Sequence, residues 1–241
     1  MKQISSKSIV YSFLAVIAIS ITFSSCKKNK EVEWPDAAVV TVVNASPKSP
    51  WLQFALDDNR LNLNDFSYTS YWNNQRAYIG NRKLSVYKYK ETTPLFTTDI
   101  TLEKDKHYTI FLADSASNME AVVISNASRA ASADSVRIKF ANMSPDVPAL
   151  DFFVKGETTA AAANVAYRAA ADFVSLKAGY NVIIEARQAG SDNVLAASLP
   201  INLAGGNIYT IYSSGFKGIV TGEGRVTVSS IRHTQPAQYW Y

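Results

Sequence analysis

The chain contains two copies of one pattern, and this internal repeat constrains its fold more than any other feature. Residues 44–50 read Asn-Ala-Ser-Pro-Lys-Ser-Pro, and residues 142–148 read Asn-Met-Ser-Pro-Asp-Val-Pro. A second pair of matching segments begins at Leu102 and at Leu203, and each leads to a Tyr-Thr-Ile sequence. The first pair is offset by 98 positions and the second by 101, so the two frames stay in step over a whole domain. The sequence therefore predicts a tandem duplication of one domain.

Apolar residues alternate on both sides of each motif copy, as they do in half-buried β-strands. In register, Val40 and Val42 of copy one match Ile138 and Phe140 of copy two, so we expect these positions to face a core. The positions after the motif also match: Leu52, Phe54 and Leu56 in copy one, and Leu150, Phe152 and Val154 in copy two. Short strands at this spacing predict an all-β chain with two tandem Ig-like antiparallel β-sandwich domains.

The opposite face of the first strand differs between the copies. Copy one carries Val39, Thr41 and Val43 there, whereas copy two carries Arg137, Lys139 and Ala141. The charged residues predict a solvated face in copy two. In copy one, the extra valines either face the neighbouring domain or are tolerated at the surface, and the sequence does not decide between these alternatives.

Residues 159–171 are rich in alanine and have two readings. They form either a short helix or an extended crossover within the second sandwich. The corresponding residues 65–68 of copy one read as extended chain, which favours the crossover.

The first 25 residues have the features of a bacterial export signal. Lysines precede an uncharged apolar run over residues 9–23, which is shorter than the roughly 20 apolar residues of a membrane span. The run ends in Phe-Ser-Ser-Cys, which resembles a lipobox, so we predict cleavage before Cys26 and lipid attachment to its thiol. Because Cys26 is the single cysteine of the chain, it has no intramolecular disulfide partner. The alternative is ordinary signal peptidase cleavage after Ser24.

These features predict an envelope protein held at the outer membrane by its lipid, with the periplasmic or external face left open. Without Lys2 and Lys7 of the signal, 22 basic residues remain against 20 acidic ones, and no basic run exceeds two residues. A nucleic-acid partner is therefore not expected. The predicted segments are a signal peptide (1–25), a lipidated tether (26–37), repeat 1 (38–127), a linker (128–134), repeat 2 (135–232) and a C-terminal tail (233–241).

Two segments of copy two resemble a known family. Residues 142–156 read Asn-Met-Ser-Pro-Asp-Val-Pro-Ala-Leu-Asp-Phe-Phe-Val-Lys-Gly, and residues 176–184 read Leu-Lys-Ala-Gly-Tyr-Asn-Val-Ile-Ile. Both resemble the family called domain of unknown function 4397, and the resemblance extends over about residues 38–232. It is weaker in copy one, where Lys48, Gln53 and Asp58 replace Asp146, Asp151 and Gly156. The resemblance implies secreted or cell-surface bacterial proteins with Ig-like sandwiches, often in tandem, and no established activity.

Candidate residues for chemistry are few. The two histidines, His107 and His233, lie in no metal-ligand spacing, and a structural role is expected for both. Asp146 and Asp151 form the best acidic pair, which suits catalysis or calcium less well than turn and strand-edge roles. We therefore predict no catalytic residue, no metal site and no cofactor.

Aromatic residues are the stronger candidates for partner contact. Trp51 lies on the face opposite the core positions, and Tyr71 and Trp72 belong to an aromatic-rich segment of copy one. Such rings either stack on sugars and anchor partners or fill the sandwich core. The sequence thus predicts a non-catalytic envelope lipoprotein that is structural or partner-binding, with Trp51, Tyr71, Trp72, Asp146 and Asp151 as candidate contacts. The alternative is a carbohydrate-binding surface lipoprotein that uses exposed aromatics.

Overall fold

The computed structural model describes residues 35–126 and 132–233, which form strands, turns and loops. The described residues from Asp36 onward belong to one compact unit. Within the described ranges, no helix is long and apolar enough to cross a membrane. The predicted signal peptide, Cys26, most of the tether and of the linker, and residues 234–241 lie outside the described residues, so the predictions for them stay predictions. The all-β fold class is confirmed.

Repeat 1 is a sandwich of two four-stranded sheets. Its strands are β1 (Ala37–Asn44), β2 (Leu52–Leu56), β3 (Asn59–Arg60), β4 (Tyr71–Tyr78), β5 (Gly80–Lys88), β6 (Pro94–Leu102), β7 (His107–Ala113) and β8 (Glu120–Asn126). The sheet with strand order β4-β1-β7-β8 is called the inner sheet, because it faces repeat 2. The sheet with order β3-β2-β5-β6 is called the outer sheet.

Repeat 2 has the same strand order, but some of its strands are broken into shorter pieces. Its strands are β9 (Ser135–Met143), β10 (Ala149–Val154), β11 (Ala162–Ala166), β12 (Ala169–Ala170), β13 (Val174–Lys177), β14 (Gly179–Val182), β15 (Ile184–Gln188), β16 (Val194–Ala197), β17 (Ile201–Leu203), β18 (Ile208–Ser214) and β19 (Thr227–His233). The inner sheet has the order β12-β9-β18-β19, with β13 also on β9, and the outer sheet has the order β11-β10-β15-β16. A short β14-β17 pair completes the repeat.

One strand pair in each inner sheet is parallel, which the sequence did not reveal. The pairs β1-β7 and β9-β18 run in the same direction, and the other pairs of named strands are antiparallel. Between the two members of each pair the chain crosses to the outer sheet and back twice. It therefore returns beside its first strand in the original direction.

The repeated motif begins with a buried asparagine that closes the end of a strand. Asn142 Nδ2 donates to the carbonyl oxygens of Val147 at 3.0 Å and Val165 at 3.1 Å. Asn44 Nδ2 donates in the same way to the carbonyl oxygen of Phe66 at 3.0 Å. Both amides are fully buried, so they satisfy backbone carbonyls that would otherwise lose hydrogen bonds. The motif therefore specifies structure at these two positions.

The second repeated segment contains a tyrosine corner, a feature of Ig-like sandwiches. Tyr209 Oη accepts a hydrogen bond from the Ala204 backbone N–H at 2.9 Å and donates to the Asn202 carbonyl at 3.1 Å. Tyr108 Oη accepts from the Glu103 backbone N–H at 3.2 Å. The two equivalent tyrosines thus tie the loop before each strand to its sandwich.

The predicted core positions are confirmed in both repeats. Val40 and Val42 pack in the core of repeat 1, and Ile138 and Phe140 pack in that of repeat 2. The alanine-rich run is extended, since it forms β11 and β12, as the crossover reading predicts.

The inner sheets of the two repeats pack against each other through the faces turned away from their own cores. A third apolar cluster lies between them and contains Val43, Ala45, Phe111, Ala113, Ile124, Ala141, Met143, Tyr212 and Ile231. The rings of Phe111 and Tyr212 have centroids 5.1 Å apart. Val43 is fully buried here, so this valine of copy one faces the neighbouring repeat. The solvated face predicted for copy two is wrong, because Ala141 and Met143 are fully buried in the same cluster.

Polar contacts surround this apolar cluster and join the two repeats. Tyr68 Oη lies 2.9 Å from Ser214 Oγ, and Lys139 Nζ donates to the Ser125 carbonyl at 2.8 Å. Further links are an Asn73 Nδ2 hydrogen bond to the Arg232 carbonyl and an Arg168–Glu120 salt bridge. The repeats are therefore held together by both apolar packing and specific hydrogen bonds.

Both histidines lie at one end of this interface, so we expect its stability to depend on pH. Burial lowers the pKa of His107 below 6.5, and burial together with His107 lowers the pKa of His233 to about 4. His233 Nε2 is 2.8 Å from Thr210 Oγ1. Because the folded state disfavours both imidazolium forms, their contribution to stability is complete above pH 6.5 and is lost as pH falls from 6.5 towards 4.

Urea unfolding at a series of pH values tests this expectation. The double variant His107→Gln/His233→Gln should lose less stability than the wild type between pH 6.5 and 4. The carboxylates are the same in both proteins, so the difference between the two curves isolates the histidines. Parallel curves over this window would contradict the prediction.

Candidate functional site

Asp146, a predicted contact residue, holds a loop of repeat 2. Its Oδ1 accepts a hydrogen bond from the Lys217 backbone N–H at 2.7 Å, and its Oδ2 accepts one from Gly218 N–H at 2.9 Å. Both amides belong to the connection 215–226 between β18 and β19. The carboxylate therefore acts as a cap that positions this loop.

Asp151 has a similar structural role at another place. Its Oδ1 accepts from the Asn164 backbone N–H at 2.6 Å, and its Oδ2 accepts from Gly190 N–H at 2.9 Å. Among the residues that the structure describes, no three His, Cys, Asp or Glu side chains come together as a group able to hold a metal ion. The turn and strand-edge roles expected for Asp146 and Asp151 account for their hydrogen bonds.

The three candidate aromatics lie in different places. Trp51 is 58% exposed and precedes β2 of the outer sheet, whereas Tyr71 is half-exposed and begins β4 of the inner sheet. Trp72 packs against the core of repeat 1, with its ring centroid 5.6 Å from that of Phe54. Trp72 is therefore partly buried against the core of repeat 1, and Trp51 and Tyr71 lie on different sheets.

Trp51 belongs to a layer of aromatic and cationic side chains on the outer sheet of repeat 1. Its ring makes an edge contact with Tyr89, with centroids 6.2 Å apart. Nearby, the Arg60 guanidinium lies 4.2 Å from the Tyr87 ring centroid and donates to Gln53 Oε1 at 2.6 Å. Arg60 covers Tyr87, and Trp51 is more exposed than either Tyr87 or Tyr89.

Repeat 2 has an open groove that the sequence analysis missed. It runs between β16 and β19, which are the last strands of the outer and inner sheets, and we call it the edge groove. One cavity of about 480 Å³ lies at Val194, Ala197 and Val220. A second cavity of about 490 Å³ continues along β19 beside Leu199 and is bordered by Tyr71 of repeat 1.

The edge groove combines exposed apolar residues with cations. Leu199 is 84% exposed and Val220 is 82% exposed. Lys217, Arg225 and Arg232 also line the two cavities and are exposed, whereas none of the described residues that line either cavity is a carboxylate. Apolar patches rimmed by polar groups mark interaction sites on soluble domains. The groove is therefore suited to bind a partner that carries apolar and negatively charged groups.

Two overlapping stretches of the chain, residues 38–153 and 140–221, match the family described as Domain of unknown function (DUF4397). The chain belongs to this family. The two matches agree with the resemblance seen in residues 142–156 and with the duplicated topology. A search of curated proteins finds no match to the chain.

The two DUF4397 repeats differ where the edge groove lies. The connection between the last two strands spans residues 114–119 in repeat 1 but residues 215–226 in repeat 2. The single strand β6 of repeat 1 corresponds to two strands, β16 and β17, which are separated by residues 198–200. Pro200 lacks an N–H and suits this break. A longer loop and a broken edge strand together open the groove in one repeat.

Sequence signals for this difference are present within the longer loop. Gly215, Gly218, Gly222 and Gly224 fall within 12 residues, where repeat 1 has no glycine. Three of them, Gly215, Gly222 and Gly224, have φ of +100°, +77° and +91°, a conformation that favours glycine. A comparison of loop lengths between the two DUF4397 repeats would have indicated an elaborated site here.

Proposed function

We propose that this chain is a non-catalytic lipoprotein of the cell envelope that binds a partner in the edge groove of repeat 2. The lipid on Cys26 would hold it at the outer membrane, as the N-terminal sequence predicts. The observation that carries the binding role is the groove itself, with two adjoining cavities and exposed Leu199 and Val220. Concave apolar surfaces with a few polar groups are the usual form of binding sites.

The roles of the titratable residues support binding rather than catalysis. His233 is engaged with Thr210 at the interface between the repeats, and Asp146 and Asp151 accept backbone hydrogen bonds. None of these three side chains lines the cavities of the edge groove. The charged side chains that line it are cations, and they lie beside aliphatic side chains, which suits recognition of a partner.

Capture from envelope extracts tests the proposed function. The mature chain, residues 26–241 with Cys26→Ser to keep it unanchored, is immobilised and compared with the variant Leu199→Ser/Val220→Ser. We expect the parent chain to retain at least one envelope component that the variant loses, because the variant removes the exposed apolar groups of the groove. Leu63→Ser is the matched control, since Leu63 of repeat 1 is 82% exposed and lies outside the groove. Equal capture by parent and variant would refute the proposal.

A second candidate function is glycan binding by the Trp51 surface. A largely exposed indole beside Tyr89 and Arg60 is suited to stack on a sugar ring. The same immobilised chain on a glycan array, with Trp51→Ala, provides this arm of the test. Tyr180→Ala is its control, because Tyr180 is an exposed aromatic of repeat 2. Glycan binding that Trp51→Ala abolishes and groove variants leave intact would favour this second function.

A further inference from the structure

We infer that the edge groove takes an extended polypeptide segment in which acidic and apolar residues alternate, and that its backbone pairs with the open edge of β16. This inference rests on the proposed binding function and specifies the class of partner. Three independent features of the groove carry it: an unprotected strand edge, adjoining apolar cavities, and cations that have no acidic counterpart among the described residues lining the groove.

The backbone edge of β16 is open and unprotected. β16 ends the outer sheet of repeat 2, so one side of its backbone has no strand partner among the described residues. Natural proteins protect such edges with charges or proline, yet the four residues Val194–Ala197 contain neither. The corresponding strand β6 of repeat 1 begins with Pro94 and carries Asp99. The edge of repeat 2 is therefore available for the addition of a further strand.

The cavities beside this edge suit the side chains of an added strand. They follow one another along the segment 194–202, at about 480 and 490 Å³. Side chains of an extended segment point alternately to opposite sides, so every second residue would face the groove. Leu199 and Val220 are exposed at the groove, and apolar side chains of the segment would cover them.

The cations of the groove favour acidic residues at the remaining positions of the bound segment. Lys217, Arg225 and Arg232 line the cavities, and none of them forms a salt bridge with another described residue. Lys217 Nζ donates to the neutral Gln188 Oε1 at 2.7 Å, which positions the ammonium without neutralising it. The nearby Asp146 carboxylate accepts hydrogen bonds from two backbone N–H groups and keeps its charge, but the three cations of the groove outnumber it. The groove is thus electrostatically complementary to carboxylates.

An extended peptide fits these features better than an anionic glycan does. An open strand edge offers backbone N–H and C=O groups with the spacing of another strand. Sugar recognition relies on exposed aromatic rings, and in the groove Tyr71 supplies such a ring only at the border with repeat 1.

Fluorescence anisotropy with synthetic peptides tests the inference on residues 26–241 carrying Cys26→Ser. The probe is Thr-Glu-Val-Glu-Val-Glu-Thr with blocked ends and a fluorescent label. We expect saturable binding to this probe, and at least tenfold weaker binding to the same peptide with lysine in place of glutamate. A peptide N-methylated at alternate residues along one edge should also bind at least tenfold more weakly, because it cannot pair with β16.

Variants of the protein locate the binding. Lys217→Glu/Arg225→Glu should weaken binding of the glutamate peptide at least tenfold and improve binding of the lysine peptide. The control Lys155→Glu makes the same kind of charge change at an exposed turn of repeat 2, away from the cavities, and should leave binding within twofold.

Three outcomes would overturn the inference: no binding of the glutamate peptide, binding that the groove variants do not weaken, or equal binding of the N-methylated peptide. Groove-dependent binding of an oligoglucuronate in place of the peptide would likewise replace it with an anionic glycan. If the peptide fails while Leu199→Ser/Val220→Ser still abolishes capture from extracts, the partner class is wrong and the binding function stands. If both fail, the proposed function fails as well.

Discussion

The variant Phe111→Ala is expected to lower the free energy of unfolding by about 3–5 kcal/mol and to uncouple the two repeats. Phe111 is fully buried in the cluster between the inner sheets, where its ring packs on Tyr212. Truncation leaves a cavity that neighbours on two rigid sheets cannot fill by local movement. The lost free energy therefore comes from the contact that makes both repeats unfold together.

Urea unfolding followed by fluorescence measures this effect. The wild type should unfold in one transition, because the described parts of both repeats form one compact unit. Phe111→Ala should show two transitions, one for each sandwich, since the separate cores of the repeats are unchanged. Tyr180→Ala is the control: Tyr180 is 86% exposed, so its truncation should change stability by less than about 0.5 kcal/mol. A single transition with wild-type stability in Phe111→Ala would contradict the assigned interface.

Gly215→Ala is expected to cost about 2–4 kcal/mol and to abolish binding in the edge groove. Gly215 has a φ of +100°, and a Cβ at this position would collide with the carbonyl group of Arg225, including its carbon at 2.6 Å. Both clashing atoms are backbone, so they cannot move aside as a flexible side chain would. The base of the loop 215–226 would have to open, and Lys217 and Val220 would leave their places at the groove.

Gly222→Ala is the matched control for this prediction. Gly222 lies in the same loop with a φ of +77°, but an added Cβ meets no atom within 4 Å. It should therefore cost only about 1 kcal/mol, from the backbone conformation alone. Urea unfolding gives the two stabilities, and the glutamate peptide reports the groove. Equal losses in the two variants would show that the close approach at Gly215 does not determine the loop.

The core of each sandwich could be predicted from sequence because strand periodicity reports it directly. Val40 and Ile138 alternate with residues of the opposite face, and both lie in their cores. Trp72 could not be assigned in this way. Tyr71 and Trp72 are adjacent on β4, so one of them faces inward, and the irregular register between β1 and β4 obscures which one.

The contact between the repeats could not be predicted because it joins residues far apart in the chain. Ala141 follows Arg137 and Lys139 on one face of β9, and a local pattern with two charges indicates solvent. The long side chain of Lys139 instead reaches the Ser125 carbonyl of repeat 1, while Ala141 is covered. Only the facing sheet reveals why this strand is half charged and half apolar.

The edge groove escaped the sequence analysis for a different reason. Periodicity identifies strands, but a groove depends on where two strands end relative to each other. Pro200 and the glycines of residues 215–226 were visible as turn residues, yet their effect appears only when β16 and β19 lie side by side. The roles of Asp146 and Asp151 were simpler, since each bonds to backbone close to a turn.

The packing of Phe111 on Tyr212 has an evolutionary consequence, because the two residues occupy equivalent positions of the duplicated sequence, 101 apart. Ile124 and Ile231 form a second equivalent pair in the same cluster. Contact between equivalent residues is also what an isologous homodimer shows at its two-fold axis. A single-domain ancestor with this face would form a closed dimer, because both copies bury the same face and leave none for a third copy. Fusion of two such genes would keep this contact within one polypeptide. Each repeat could then change separately in the residues outside the contact.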